Sequence, residues 1–68
     1  MNDTPVYPNI SVRLIGVDNH PTTIVAVLTR GLRDGGIEHD EIDRIVREAL
    51  SGDYDHVLST CLKYVRVH

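Results

Sequence analysis

The chain has 68 residues, a formal net charge of −3, a hydrophobic fraction of 41% and a single cysteine. One cysteine excludes an intrachain disulfide framework and argues against the usual cysteine-built zinc sites, while an acidic balance is the reverse of what a general nucleic-acid binder carries. No apolar run approaches the roughly 20 residues that span a bilayer, and residues 1–5 lack the basic and apolar regions of a signal peptide, so a cytoplasmic protein without membrane contact is expected.

A chain this short makes one domain with a small core, which leaves self-association as the natural way to add stability. That core is aliphatic, because the chain has no Phe or Trp and three tyrosines. The charge is local. Residues 38–50 hold Glu38, Asp40, Glu41, Asp43 and Glu48 against Arg44 and Arg47, while acids and bases balance elsewhere.

In chain order, residues 1–9 carry Pro5 and Pro8 without periodicity and are expected to form a flexible arm, with Val6 and Tyr7 available to dock it. From Ile10 to Val17 the pattern is that of a strand: Ile10, Val12 and Leu14 alternate with Ser11 and Arg13. Ile15 and Val17 break the alternation and place apolar groups on the polar face. Asp18-Asn19-His20-Pro21 is a turn, and Pro21 suits the first position of a helix, where a missing N–H is harmless. The first helix is predicted from Pro21 to Asp34. Its β-branched first half, Thr23-Ile24-Val25, could pass for a strand, but its length and proline start favour a helix. Gly31 sits inside it, and Gly35-Gly36 ends it with a left-handed cap.

Ile42, Ile45, Val46, Ala49 and Leu50 follow the spacing of one buried helical face. Ile37 and Ile42 stand where a hydrophobic staple would join the turn to the second helix, with Glu41 at the third position. Asp40–Arg44 and Asp43–Arg47 are acid-before-base pairs four residues apart. The third helix opens on Asp53 as N-cap and repeats the pattern with Tyr54, Val57, Leu58, Cys61 and Leu62. After Lys63 the period changes to two, with Val65 and Val67 facing one way and Tyr64, Arg66 and His68 the other, which predicts a closing strand. The expected fold class is therefore α+β: a β-α-α-α-β order, residues 10–68 forming one domain, with three amphipathic helices on one face of a short two-stranded sheet.

Several of these segments resemble a group of small proteins from actinobacteria and their phages. The shared features are Val12, Leu14, Gly16 and Asp18 in the first strand, Gly31-Leu32-Arg33-Asp34-Gly35-Gly36 at a helix end, and Glu48-Ala49-Leu50-Ser51-Gly52-Asp53-Tyr54-Asp55 before a short terminal strand. The likeness covers residues 10–67. It departs at Asn19-His20-Pro21-Thr22-Thr23 and has Tyr64 where the group has Trp. No activity attaches to the group, so the resemblance implies a compact intracellular protein and no mechanism.

Candidate chemistry is sparse. Cys61 lies on an apolar helix face, where a thiol is a small hydrophobe and not a nucleophile. His20, His39, His56 and His68 form no ligand pair on one helix face. Asp53 is best read as a cap, with Asp55 and His56 in a solvated first turn. Gly35-Gly36 follows a helix and lacks the lysine of a phosphate loop. No cofactor is expected.

What remains is surface. Arg13 and Arg66, with Ile15, Val17 and Tyr64, are expected on the sheet face away from the helices, near Lys63 and His68. Asp40, Glu41, Asp43 and Arg47 mark an acidic helix. These features point to a non-enzymatic protein-interaction module, self-associating as a dimer, that binds another protein through the sheet face or the acidic helix. Two alternatives stand beside it: a nucleic-acid-binding accessory protein using Arg13, Lys63 and Arg66 with Arg30 and Arg33, and a small-ligand or metal binder in a dimer cleft using His20, His56 or Cys61.

Overall fold

A computed structural model of the chain describes residues 4–14, 16 and 20–68. The elements run β1 (Ser11–Val12), α1 (Pro21–Asp34), α2 (His39–Ala49), α3 (Tyr54–Tyr64) and β2 (Arg66–Val67). The order is the one expected, and the class is α+β. The two strands pair in parallel, Ser11 opposite Arg66 and Val12 opposite Val67. A parallel pair needs a long crossover connection, and the three helices supply it.

The regular strand is short, but its hydrogen bonding extends further. Arg66 N–H donates to Ile10 O (2.9 Å), His68 N–H to Val12 O (3.0 Å), and Leu14 N–H to His68 O (2.7 Å). Ile10 and Val12 are buried, Leu14 is half-buried, and Ser11 and Arg13 are exposed, as the alternation required. Gly16 takes a φ of 85°, a left-handed conformation that ends the extended run. Ile15 and Val17, expected as exposed apolar groups, lie outside the described residues.

In α1, Ile24, Leu28 and Leu32 form the buried stripe, and Pro21 occupies the first turn. The exit is a Schellman turn: Ile37 N–H reaches Leu32 O and Gly36 N–H reaches Arg33 O, both at 3.0 Å, with Gly36 at φ 85°. Ile42, Ile45 and Ala49 bury the inner face of α2. Asp53 caps α3 by accepting from His56 N–H at 3.0 Å. α1 packs on β1 and α3 on β2, and α2 closes the helical layer against α1 and α3.

The predicted core needs two corrections. Leu50 and Leu62 were placed on buried faces, yet they are 51% and 59% exposed. Leu50 lies beyond the last turn of α2, as its C-cap residue. In α3 the buried stripe is Val57, Thr60, Cys61 and Tyr64, which rotates Leu62 outward. Thr60 is tolerated there because its hydroxyl donates to His56 O at 2.8 Å.

Gly31 and Gly35 set the distance between α1 and β1. A Cβ at Gly31 would lie 2.5 Å from Val12 Cγ1, and one at Gly35 would lie 2.5 Å from Ile10 Cδ1. The glycine inside the helix is thus the seat of a strand residue. Gly31→Ala adds about 1 kcal/mol of helix propensity, but it overpacks against a stiff β-branched neighbour, at a typical penalty of about 1–3 kcal/mol. Urea denaturation is expected to show a net loss of stability, and Val12→Ala in the same chain should recover part of it. A Gly31→Ala protein more stable than wild type would refute this packing account.

Candidate functional site

Each surface singled out in the sequence has a definite fate. Tyr64 is not on the outer sheet face. It is the last residue of α3 and only 4% exposed, because the helix continues one residue further than the change of period suggested and Val65 N–H folds back to Cys61 O. Its hydroxyl donates to Glu48 Oε1 at 2.8 Å. Arg66 is exposed, but its Nε donates to Pro8 O at 2.9 Å, so part of its guanidinium is committed to the arm. Lys63, included in the nucleic-acid alternative, pairs with Glu48 Oε2 at 3.0 Å. Of the basic sheet-face group, Arg13 and His68 have no such side-chain tie among the described residues.

The arm was expected to be flexible, but its described part is bound between Val6 and Pro8. Val6 N–H donates to Lys63 O (3.0 Å) and Tyr7 N–H to Tyr64 O (2.7 Å). These are carbonyls at the end of α3 that the helix itself leaves unsatisfied. The Tyr7 ring stacks on Tyr64 with centroids 6.3 Å apart and planes at 25°. The Tyr7 hydroxyl donates to Glu41 Oε2 at 2.8 Å.

Glu41 and Glu48, two turns apart on α2, therefore play matching parts. Each accepts a tyrosine hydroxyl and pairs with a cation. Arg44 forks onto Glu41 through Nε (2.9 Å) and a terminal nitrogen (2.6 Å). This replaces the expected Asp40–Arg44 pair, while Asp43–Arg47 forms at 3.0 Å. The Arg44 fork and then the Tyr7 hydroxyl lower the Glu41 pKa. Lys63, followed by Tyr64, lowers that of Glu48. The hydrogen bond to Glu41 raises the Tyr7 pKa, and Glu48 raises that of Lys63. Much of the charge on the acidic helix is thus spent inside the chain: of the four residues singled out, only Asp40 lacks a side-chain partner among the described residues.

The remaining candidates are structural. His56 Nε2 lies 2.9 Å from Glu48 O and 3.2 Å from Ser51 Oγ. A carbonyl only accepts, so that nitrogen carries the hydrogen and locks the α2–α3 turn. Cys61 is fully buried, and burial pushes its thiol pKa up to about 11. No group of three or more His, Cys, Asp or Glu side chains suited to a metal exists among the described residues. No helix among them is long and apolar enough to cross a membrane.

The feature the sequence reading missed is a groove of about 550 Å³ between α1 and α2, lined by Thr29, Arg33, Ile37, His39, Ile42, Asp43 and Val46. Ile37, Ile42 and Val46 provide apolar walls. Ile37 and Val46 are half-buried and Ile42 is buried. Asp43 is held by Arg47, whereas the side chains of Arg33 and His39 have no ion-pair partner among the described residues. The groove is an apolar trough with one unpaired arginine, Arg33, at its rim.

A scan against protein-family models, a search of curated proteins and a search of solved structures each found no match.

Two outcomes follow from this geometry. The native protein should react with a thiol reagent at the rate of unfolding, because a buried, protonated thiol is a poor nucleophile; rapid labelling of the folded state would contradict the buried placement of Cys61. Thermal unfolding followed across pH should show a plateau with two limbs. Glutamate stabilisation is fully present above the ordinary value of 4.5 and is lost as pH falls through the depressed values of Glu41 and Glu48. The contributions of Tyr7 and Lys63 are present below their ordinary values of 10.0 and 10.5 and are lost as pH rises through the raised ones. Glu41→Gln with Glu48→Gln should flatten the acid limb; an unchanged limb would mean that other carboxylates govern it.

Proposed function

We propose that the protein is a non-enzymatic interaction module that receives a short amphipathic segment of another protein in the α1–α2 groove. The supporting observation is the groove itself: aliphatic walls from Ile37, Ile42 and Val46 beside Arg33, whose guanidinium has no ion-pair partner among the described residues. Grooves between helices are habitual docking places for the apolar face of a helix, which is read through side chains three and four residues apart. The matching segment carries two aliphatic anchors flanked by a carboxylate, since an unpaired arginine is well suited to a carboxylate partner.

This reading keeps the protein-binding role expected of the chain and moves it to another surface. The acidic helix contributes through Asp43 at the groove wall. Glu41 serves to hold the arm. Nucleic-acid binding has less support, because Lys63 and Arg66 are already engaged.

A displayed library of random peptides selected on the purified protein tests the reading directly. Selected peptides should share paired aliphatic residues at helical spacing with a neighbouring Asp or Glu. Val46→Asp should weaken them at least about tenfold, equivalent to about 1.4 kcal/mol. Arg33→Glu should select against the acidic flank, and Asp40→Asn, away from the groove, should leave binding unchanged. Selection without a consensus, or a consensus indifferent to Val46→Asp, would remove the groove from consideration.

A further inference from the structure

The arm is held to the helices much as a ligand is held to a site. Val6 and Tyr7 donate successive N–H groups to the carbonyls of Lys63 and Tyr64, and Arg66 donates to Pro8 O. The Tyr7 ring lies on Tyr64 with its hydroxyl on Glu41. All of the receiving groups belong to α2, α3 and β2, so this cradle is built without the arm. Its register is fixed by proline, which has no N–H. Pro5 and Pro8 flank Val6-Tyr7, so a shift of one residue either way sets a proline against one of the two carbonyls. The hold itself is shallow. Thr4, Val6, Pro8 and Asn9 are exposed, Pro5 and Tyr7 are half-buried, and the buried core begins only at Ile10. Segments with so few buried contacts open at a small fraction of the global unfolding cost.

We infer that the arm is an exchangeable strap: it lifts away while the helical layer stays folded, and the cradle then takes an extended, tyrosine-bearing segment of a partner protein. The arm shows what fits. The occupant offers two successive N–H groups, the second on a tyrosine, followed by a carbonyl for Arg66. The tyrosine hydroxyl matters because a carboxylate such as Glu41 only accepts. Lifting the strap strands no charge, since Glu41 keeps Arg44, and Glu48 keeps Lys63 and the Tyr64 hydroxyl. It uncovers the Tyr64 ring, now 4% exposed, as a flat aromatic floor. A tethered arm competes from an effective concentration on the order of mM. The cradle is thus autoinhibited, and an incoming segment binds in proportion to the fraction of molecules with the strap open. The arm of a second copy makes the same contacts without the tether's advantage, so the occupant is a different sequence that makes more of them. The α1–α2 groove takes Ile42, Asp43 and Val46 from α2, whereas the cradle takes Glu41 and Glu48, so either reading fails without the other.

Competition between the arm and a free copy of it tests the strap. The probe is an end-blocked synthetic peptide, Thr-Pro-Val-Tyr-Pro-Asn, which repeats residues 4–9, titrated against the full-length chain. It should bind Tyr7→Ala, checked for native circular dichroism, at least about tenfold more tightly than the wild type, whose own arm competes. The same peptide with Phe for Tyr should bind Tyr7→Ala more weakly. Amide exchange on the wild type decides the opening separately, even if Tyr7→Ala misfolds. The Val6 and Tyr7 amides, although hydrogen-bonded, should exchange well ahead of the Ile45 amide in the core of α2. Exchange of all three at one rate, through global unfolding only, overturns the inference. So does a peptide that binds both proteins equally or neither, or one indifferent to loss of the hydroxyl. A wild type that doubles in mass during sedimentation, and returns to single mass when the peptide is added, puts a second copy's arm in the cradle and overturns the assignment to a partner.

Discussion

The parallel pairing of β1 with β2 is the constraint from which the architecture follows. Antiparallel strands can be joined by a tight turn, but parallel strands cannot. The chain between Val12 and Arg66 must therefore leave one end of the sheet and return to the other. A single helix would be the shortest crossover; here there are three. The two outer helices each rest on the strand next to them, and α2 fills the space between them. The Gly31 and Gly35 positions let α1 lie close enough to β1 for Ile10 and Val12 to reach the core. The Schellman turn and the Asp53 cap then aim α2 and α3.

The arm extends the same logic. A helix end leaves carbonyl groups unsatisfied, and at the end of α3 the strand that follows cannot reach all of them. Val6 and Tyr7 supply two of the donors. Having been brought there, Tyr7 stacks on Tyr64 and ties to Glu41, so that a segment N-terminal to β1 joins α3 to α2. The two tyrosine–glutamate–cation sets serve as polar clasps beside an aliphatic core. They also consume charge that would otherwise be offered to partners, which redirects attention to Arg33 at the rim of the groove.

The helices were legible because their signals are local: the spacing of Ile42, Ile45 and Ala49, the proline at α1, the paired glycines after it, and Asp53 before α3. Strand order followed from two short alternating patterns with nothing else for them to pair with. Tyr7 was harder, since its stacking partner is at the far end of the chain and no periodicity links them. Tyr64 was misplaced because a helix running one residue further and a strand starting one residue earlier share the same sequence pattern there. Arg44 had two acids within reach, and only the position of Tyr7 explains why it turns to Glu41. The groove was invisible for a related reason. Ile37 and Val46 look like any core residue in the sequence, and only the packed structure shows them half-buried along a groove.

The pairing that organises the fold also dictates the order in which it can appear. Arg66 and Pro8, in contact at 2.9 Å, are 58 residues apart along the chain. Closing so long a loop carries an entropic cost that grows with the logarithm of its length. Contacts among the helices are more local and lack that burden. The helical layer is thus the part of the molecule able to assemble first, with the sheet and the arm closing over it last. During synthesis, residues 66–68 must clear the ribosome before β1 has any strand to join. Until then Ile10 and Val12 have no sheet to belong to, and the nascent chain presents them to whatever binds emerging polypeptides.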